Sequence, residues 1–274
     1  MFLAGLRCLG DDYDTVDAKG FSEMALNSKL IHQPGEKYSY SNVGYSLLGI
    51  IVENVSGKSY EQFLRDELFV PSGMLKTGYL IPEFKKEQLA VGYKNGKRWG
   101  TAMDHAWKKG GPGWHLRANG GILSTAGDMF KWYQSLRSNT VLPKAQTEKM
   151  FTPHVDEGQG GISFYGYGWV VMPAGDVKII WHNGGNGVYN AYAGFDPQQD
   201  IFIFVSSNSN DKISDDIAAA LYNIVSEKKK IQLAANEPDY RNHPVTRKIL
   251  SSIMQHGAEY FSAHSKTIIT ESRI

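Results

Sequence analysis

The stretch that most constrains the fold of this chain is residues 34–74, because it carries two helix signals separated by a break. Apolar residues recur at three- and four-residue spacing over 42–55, as on the buried face of an amphipathic helix. Gly57 suits the left-handed position that ends a helix. Ser59 can cap a second helix, and Gln62, three residues later, would complete a capping box. We therefore predict two consecutive helices packed against a common core.

Residues 164–207 predict a sheet. Aromatic and β-branched runs alternate there with turn residues, and the polar segment 197–200 separates two runs as the turn of a hairpin does. We predict three or more antiparallel strands. Further helices are predicted by apolar spacing at 21–30, 213–226 and 245–263, and after a cap at Ser124 or Thr125.

These elements together predict an α+β fold, with an antiparallel sheet flanked by helices. We expect one domain over residues 1–230, followed by a linker and a helical C-terminal extension over 231–274. Residues 75–120 are irregular and rich in glycine, lysine and aromatic residues, so we predict short strands and long loops there. Long loops in a compact domain are usually functional or mobile.

Composition excludes several classes of function. The formal net charge of +1 gives no reason to expect nucleic acid or an anionic membrane as partner. No apolar run approaches the length of a membrane-spanning helix. Cys8 is the single cysteine, and the eight histidines lack metal-ligand spacing, so we expect no metal and no cofactor. The expected partner is a small-molecule or peptide substrate, and the oligomeric state is left open.

Two short motifs carry candidate chemistry. Tyr40 and Asn42 stand two residues apart, immediately before the predicted helix at 42–55. His182 ends a predicted strand and is followed by Gly184 and Gly185, at the opening of a hairpin. The Tyr-x-Asn pattern also begins at Tyr93 and Tyr240, but neither copy has the Pro-Gly lead-in or the following helix.

With their surroundings, PGEKYSYSNVGYSLLGIIVENVSGKSYEQFL and WHNGGNGVYNAYAGFDPQQDIFIFVSSN, these motifs resemble the β-lactamase and penicillin-binding-protein family of serine hydrolases. The class C-like branch, with its D-Ala-D-Ala carboxypeptidases and esterases, is the most similar. The segments ANGGILSTAGDMFKW and YGYGW also resemble that family. The resemblance covers residues 34–226 and implies a DD-peptidase/β-lactamase-like fold.

The resemblance also implies a role for each motif residue. Tyr40 would exchange a proton with the nucleophile and the leaving group, which requires neighbouring cations to lower its pKa. Asn42 would hold the substrate amide, and His182 would lie by the tyrosine or a substrate carboxylate. Gly185 would donate its backbone N–H to the oxyanion, and Gly184 would let the substrate approach the strand.

The nucleophile of that family, the serine of a Ser-x-x-Lys motif, is not found before Tyr40. The two Ser-x-x-Lys matches begin at Ser209 and Ser226, after His182, and we interpret both as chance. We therefore expect either a fragment truncated at its N-terminus or a protein that has lost its nucleophile. The absence of a convincing signal peptide and of the first strands favours the fragment.

Two functions remain open. The first is a serine hydrolase acting through an acyl-enzyme on an amide, peptide or ester, inactive as this chain. The second is a non-catalytic homologue that binds peptidoglycan or D-amino-acid peptides. An α/β-hydrolase esterase is discounted, because no Gly-x-Ser-x-Gly motif is present. The full-length protein is expected in the periplasm or outside the cell, with the cytoplasm as the alternative.

The missing nucleophile makes a direct prediction. We expect the 274-residue chain to remain unlabelled when it is incubated with a fluorescent penicillin and examined on a denaturing gel. An active penicillin-binding protein in a parallel sample serves as the control. Covalent labelling at one fluorophore per chain would show that a nucleophile is present.

Overall fold

The structure, a computed structural model, describes residues 16–105, 111–158, 160–174, 177–211, 213–226 and 255. The predicted helix over 245–263 and the linker before it lie outside this part of the chain, apart from Gln255. Within the described ranges, no helix is both long enough and apolar enough to cross a membrane.

Six α-helices occur in the described part of the chain, and they include each helix predicted before residue 227. A π-helical turn, Leu64–Phe69, continues directly from the third. The helices are α1 (Ala18–Leu26), α2 (Asn42–Ser56), α3 (Tyr60–Phe63), α4 (Ala126–Ser138), α5 (Lys144–Met150) and α6 (Ser214–Val225).

The helix pair predicted from residues 34–74 is confirmed in its main features. Helix α2 ends at Gly57, which adopts the left-handed conformation with φ of 68°. The Ser59 hydroxyl accepts a hydrogen bond from the Gln62 backbone N–H and caps α3. The second half of the predicted capping box is wrong, because the Gln62 side chain donates to Asp66 instead.

The strands form two antiparallel sheets. A small hairpin, β1 (Gly92–Lys94) and β2 (Lys97–Gly100), lies in the predicted irregular region. The main sheet has six strands in sequential order, so each pairs with its neighbours along the chain. Its strands are β3 (Val155–Asp156), β4 (Phe164–Tyr165), β5 (Val170–Ala174), β6 (Val177–Gly185), β7 (Asn190–Asp196) and β8 (Ile201–Ser207).

Helices cover both faces of the main sheet, as the predicted α+β class requires. On one face, Tyr133 of α4 stacks on Phe202 of β8, with ring centroids 5.0 Å apart. On the other face, the Tyr222 hydroxyl of α6 donates to the Asp196 carboxylate at 2.8 Å. Asp196 is fully buried and also accepts backbone N–H groups of the β7–β8 turn. The predicted turn at 197–200 is therefore held by a buried carboxylate.

Two boundaries differ from the prediction. Helix α1 begins at Ala18, three residues before the predicted start, because Asp17 caps it by accepting from the Gly20 N–H. The sequence analysis did not predict α5, whose seven residues, KAQTEKM, offer only one large apolar side chain. Thr125, one of the two predicted caps, does cap α4 by accepting from the Asp128 N–H.

The close approach of α2 to residues 114–118 predicts how one substitution will behave. A Cβ atom at Gly49 would lie 2.4 Å from the Ala118 Cβ and 3.2 Å from the Trp114 ring. We expect Gly49→Ala to destabilise the fold by about 1–3 kcal/mol, because overpacking outweighs the helix propensity of alanine. Urea unfolding followed by tryptophan fluorescence measures the change.

Gly44→Ala in the same helix is the matched control. Its Cβ would meet nothing closer than the Ser41 hydroxyl at 3.4 Å, so we expect unchanged or slightly higher stability, by up to about 1 kcal/mol. Equal effects of the two substitutions would contradict tight packing at Gly49.

Candidate active site

His182 lies on the face of β6 that is turned toward α4. Strand residues two apart share a face, and Ile180, two residues before, is fully buried in a cluster with Tyr133 and Phe195. Asn183 points to the opposite face, where its amide donates to the Asp215 carboxylate of α6 at 2.7 Å. The alternation of the strand therefore separates His182 from Asn183 and directs the imidazole into the site.

Tyr40 and His182, predicted from distant motifs, meet in the structure around a third residue, Tyr165 of β4. The ring centroid of Tyr40 lies 6.2 Å from that of His182 and 6.2 Å from that of Tyr165. The Tyr165 hydroxyl is 2.8 Å from the His182 Nε2. The cluster joins the segment before α2 to two strands of the main sheet.

The hydrogen bonds of His182 define its tautomer. Its Nδ1 lies 2.6 Å from the Asn183 carbonyl oxygen. Since a carbonyl can only accept, Nδ1 carries the proton, and in the neutral ring Nε2 accepts from the Tyr165 hydroxyl. Burial lowers the pKa of His182, more strongly than the Asn183 carbonyl and the charge of Glu157 raise it. The imidazole is therefore neutral at pH 7.

Two more tyrosines and one carboxylate complete the cluster, and the sequence analysis did not find them. Tyr45 of α2 forms a side-chain hydrogen bond with Tyr165. Tyr38 packs its ring 5.6 Å from that of Tyr165, and its hydroxyl bonds to the Glu157 carboxylate. A usable signal was present, because Tyr38 and Tyr45 flank the Tyr-x-Asn motif within five residues on either side.

The pKa of Tyr40 is shifted in the direction opposite to the one that catalysis as a base requires. Tyr40 is 45% exposed; its partial burial raises its pKa, and no lysine or arginine among the described residues lowers it. The sequence analysis expected neighbouring cations to lower this pKa, and the described structure does not show that effect. In this environment the Tyr40 phenol is protonated at neutral pH.

The end of β6 has one paired edge and one open edge. Pairing with β5 ends at Trp181, whereas pairing with β7 continues to Gly185. The Asn186 N–H donates to the Tyr189 carbonyl at 3.1 Å where the hairpin closes. Because hydrogen-bonded and non-bonded pairs alternate in an antiparallel ladder, Gly184 bonds to β7, and the backbone groups of Asn183 and Gly185 face the open edge.

The two glycines of this edge differ in their surroundings. A Cβ at Gly184 would meet no atom within 4 Å, so the space beside it is open. A Cβ at Gly185 would lie 2.6 Å from the Asn190 Oδ1. Asn190 is buried, and its amide donates to the Ser209 carbonyl. Glycine is thus required at position 185, because a side chain there would clash with Asn190. The Gly185 N–H is directed to the open edge of β6.

The structure does not join Asn42 to the cluster. Asn42 is the exposed first residue of α2, and none of its hydrogen bonds among the described residues reaches Tyr40 or His182. Trp114, in the loop region, is buried in a core cluster with Phe21 and Ile50 and therefore packs rather than lines the site.

Known proteins resemble this chain in both sequence and structure. The Beta-lactamase family model matches residues 4–226. Penicillin-binding protein 4* of Bacillus subtilis is 28% identical over 192 residues, which cover 60% of this chain and 38% of that protein. D-alanyl-D-alanine-carboxypeptidase/endopeptidase AmpH of Escherichia coli is 28% identical over 191 residues, covering 65% of this chain and 47% of that protein.

A solved structure confirms the fold. The crystal structure of a penicillin-binding protein from Bacillus halodurans superposes with a TM-score of 0.67 at 25% identity, covering 78% of this chain and 64% of that one. The mixed fold and the matched segments thus define a penicillin-binding-protein type of domain. The chain belongs to the Beta-lactamase family. It spans less than half the length of the two curated relatives named above.

The half-buried, neutral His182 predicts a pH dependence of stability. Because its pKa is lowered in the folded state, the unfolded chain binds more protons between that value and about 6.5, the ordinary pKa of histidine. We expect the free energy of unfolding to fall as the pH drops below about 6.5. Urea unfolding at a series of pH values between about 5 and 8 measures this effect.

His182→Gln should flatten this part of the pH profile, since glutamine does not titrate. His154→Gln is the matched control, because His154 is exposed, and this variant should keep the slope. An unchanged profile in His182→Gln would assign the pH dependence to other groups.

Proposed function

We propose that this chain forms the substrate-binding side of a serine-hydrolase site that acts by acyl transfer on an amide, peptide or ester. In this proposal Tyr40 is the general base, Asn42 and His182 position the substrate, and Gly185 donates its N–H to the oxyanion. One donor of that kind contributes about 100-fold or more to the rate. Gly184 leaves room for the substrate to lie along β6.

The observation that carries this proposal is the meeting of Tyr40 and His182 beside the open edge of β6. The two side chains are 142 residues apart in the sequence, yet their rings lie 6.2 Å apart. The backbone of Gly185 lies on the same open edge, whereas the Asn183 carbonyl already accepts from His182. An open strand edge binds extended peptides by adding a strand, so the arrangement suits a chain-like substrate.

Binding without catalysis is the second candidate, and the protonated Tyr40 favours it. Partial burial raises the pKa of this phenol. A homologue that binds D-amino-acid peptides would need the open edge of β6 as a binding surface. It would not need Tyr40 as a general base. The DNA upstream of Met1 separates the two candidates. An in-frame Ser-x-x-Lys supports the enzyme, and a stop codon directly upstream supports the binding protein.

Both candidates place the ligand on the same surface, and we propose that the full-length protein works in the periplasm or outside the cell. The substrate is a peptide or small molecule with a D-amino acid. The support for this choice is the similarity to a D-alanyl-D-alanine carboxypeptidase/endopeptidase, together with the match to the Beta-lactamase family.

Filling the open space at Gly184 tests the proposed binding surface. The probe is the C-terminal amide of N-acetyl-D-alanyl-D-alanine, titrated into labelled protein while backbone amide signals are followed by NMR. We expect the largest shifts at Asn183 and Gly185. Gly184→Val should weaken binding at least about tenfold, since a misplaced methyl group in a pocket has an effect of that size.

Gly127→Ala is the control, because a Cβ at that position meets only the Thr125 hydroxyl at 3.9 Å. Thermal unfolding should show that Gly184→Val remains folded, as the open space around it implies. Shifts confined to residues away from β6, or equal affinity in both variants, would contradict the proposed site.

A further inference from the structure

The imidazole of His182 has no free group to offer a carboxylate. Its Nδ1–H donates to the Asn183 carbonyl at 2.6 Å. Its Nε2 lone pair accepts the Tyr165 hydroxyl proton at 2.8 Å. A carboxylate is only an acceptor and needs an N–H or a positive charge from its partner. His182 in this arrangement supplies neither, although it occupies the position predicted to lie by a substrate carboxylate.

A chain of hydroxyl groups holds Tyr165 in this orientation. Tyr165 gives its only proton to His182, so in its hydrogen bond with Tyr45 it acts as the acceptor and Tyr45 donates. The Tyr45 oxygen in turn accepts from the Gly168 backbone N–H. Each donor in the series therefore has one acceptor. Protonating Nε2 of His182 would require these hydroxyl protons to reverse, which stabilises the neutral ring.

The charged group that acts on His182 is negative. Glu157, in the loop after β3, is the one charged side chain among the described residues that shifts the pKa of His182. Its carboxylate also accepts hydrogen bonds from Tyr38 and Ser163, which hold it in place. Like charges close together in a low-dielectric site repel strongly. A substrate carboxylate beside β6 would meet this repulsion.

The other titratable groups that face His182 are phenols. Tyr40 comes from the segment before α2 and Tyr165 from β4. Burial raises the pKa of both phenols, so both are uncharged at neutral pH. The described surroundings of His182 thus contain uncharged rings and one carboxylate. Their electrostatic potential favours a neutral or positively charged ligand.

This inference rests on the proposed function. We propose that the open edge of β6 selects substrates that are uncharged or cationic next to the strand and discriminates against substrates with a free carboxylate there. The Tyr165–His182 hydrogen bond removes the cation that a carboxylate would need, and Glu157 adds repulsion. The substrate class is therefore an ester, an amide or an internal peptide bond rather than a peptide with a free C-terminus at this position.

Three ligands that differ only at one end test this selection. They are N-acetyl-D-alanyl-D-alanine, its C-terminal amide and its 2-aminoethylamide, which carry a negative, a zero and a positive charge at the same place. Each is titrated into the labelled 274-residue chain at pH 7.5 while the Gly185 amide signal is followed. We expect the carboxylate to bind at least about tenfold more weakly than the amide, as close like charges imply.

Two variants separate the contribution of Glu157 from general charge. Glu157→Gln keeps an oxygen that can accept from Tyr38, and it should reduce the difference between the positive and negative ligands to about threefold or less. Glu148→Gln is the matched control, because that carboxylate pairs with Lys144 on the exposed surface of α5. This variant should bind all three ligands as the unaltered chain does.

A ¹⁵N spectrum of the imidazoles checks the tautomer independently of any ligand. We expect His182 to show a protonated Nδ1 and an unprotonated Nε2 at pH 7.5. A carboxylate ligand that shifts Gly185 and binds as tightly as the amide would overturn the inference and leave the proposed function intact. The absence of Gly185 shifts with all three ligands would contradict the proposed function as well.

Discussion

The extension of β6 beyond its partner β5 is the constraint on which the candidate site depends. Trp181 is the last residue paired on both sides, and the four residues 182–185 are paired to β7 alone. Backbone groups on an open edge need hydrogen-bond partners from water or a ligand. The rings of Tyr40 and Tyr165 pack near His182, the first residue of this segment. Unequal strand lengths therefore leave an open edge beside these rings.

The position of Tyr40 depends on how α2 is anchored at its start. Ser41 caps the helix by accepting from the Gly44 N–H at 3.0 Å, which fixes the direction in which the chain enters it. Ser46, one turn on, is fully buried and donates to the Arg117 carbonyl. Gly49 then allows the helix to approach residue 118 closely. Small residues at successive turns therefore fix the position of α2 and, with it, the segment that carries Tyr40.

Local patterns account for the parts of the fold that were predicted correctly. The left-handed Gly57, the cap at Ser59 and the turn at 197–200 are set by residues within a few positions. The cluster around Tyr165 could not be predicted in this way. Its members, Tyr45 and His182, are separated from Tyr165 by 120 and 17 residues, and only the sheet order brings them together. The resemblance located Tyr40 and His182 because it carried that long-range information.

One positive charge decides whether Tyr40 can act as a base in this fold. A cation within about 4–6 Å of a phenol or carboxyl favours the ionised form and lowers its pKa by about 1–3 units. No lysine or arginine among the described residues shifts the pKa of Tyr40, and the partial burial of its ring raises that pKa further. Burial without a neighbouring cation therefore works against catalysis by Tyr40. It becomes useful once a lysine is placed nearby, because the same low dielectric that penalises the phenolate strengthens its attraction to the ammonium group.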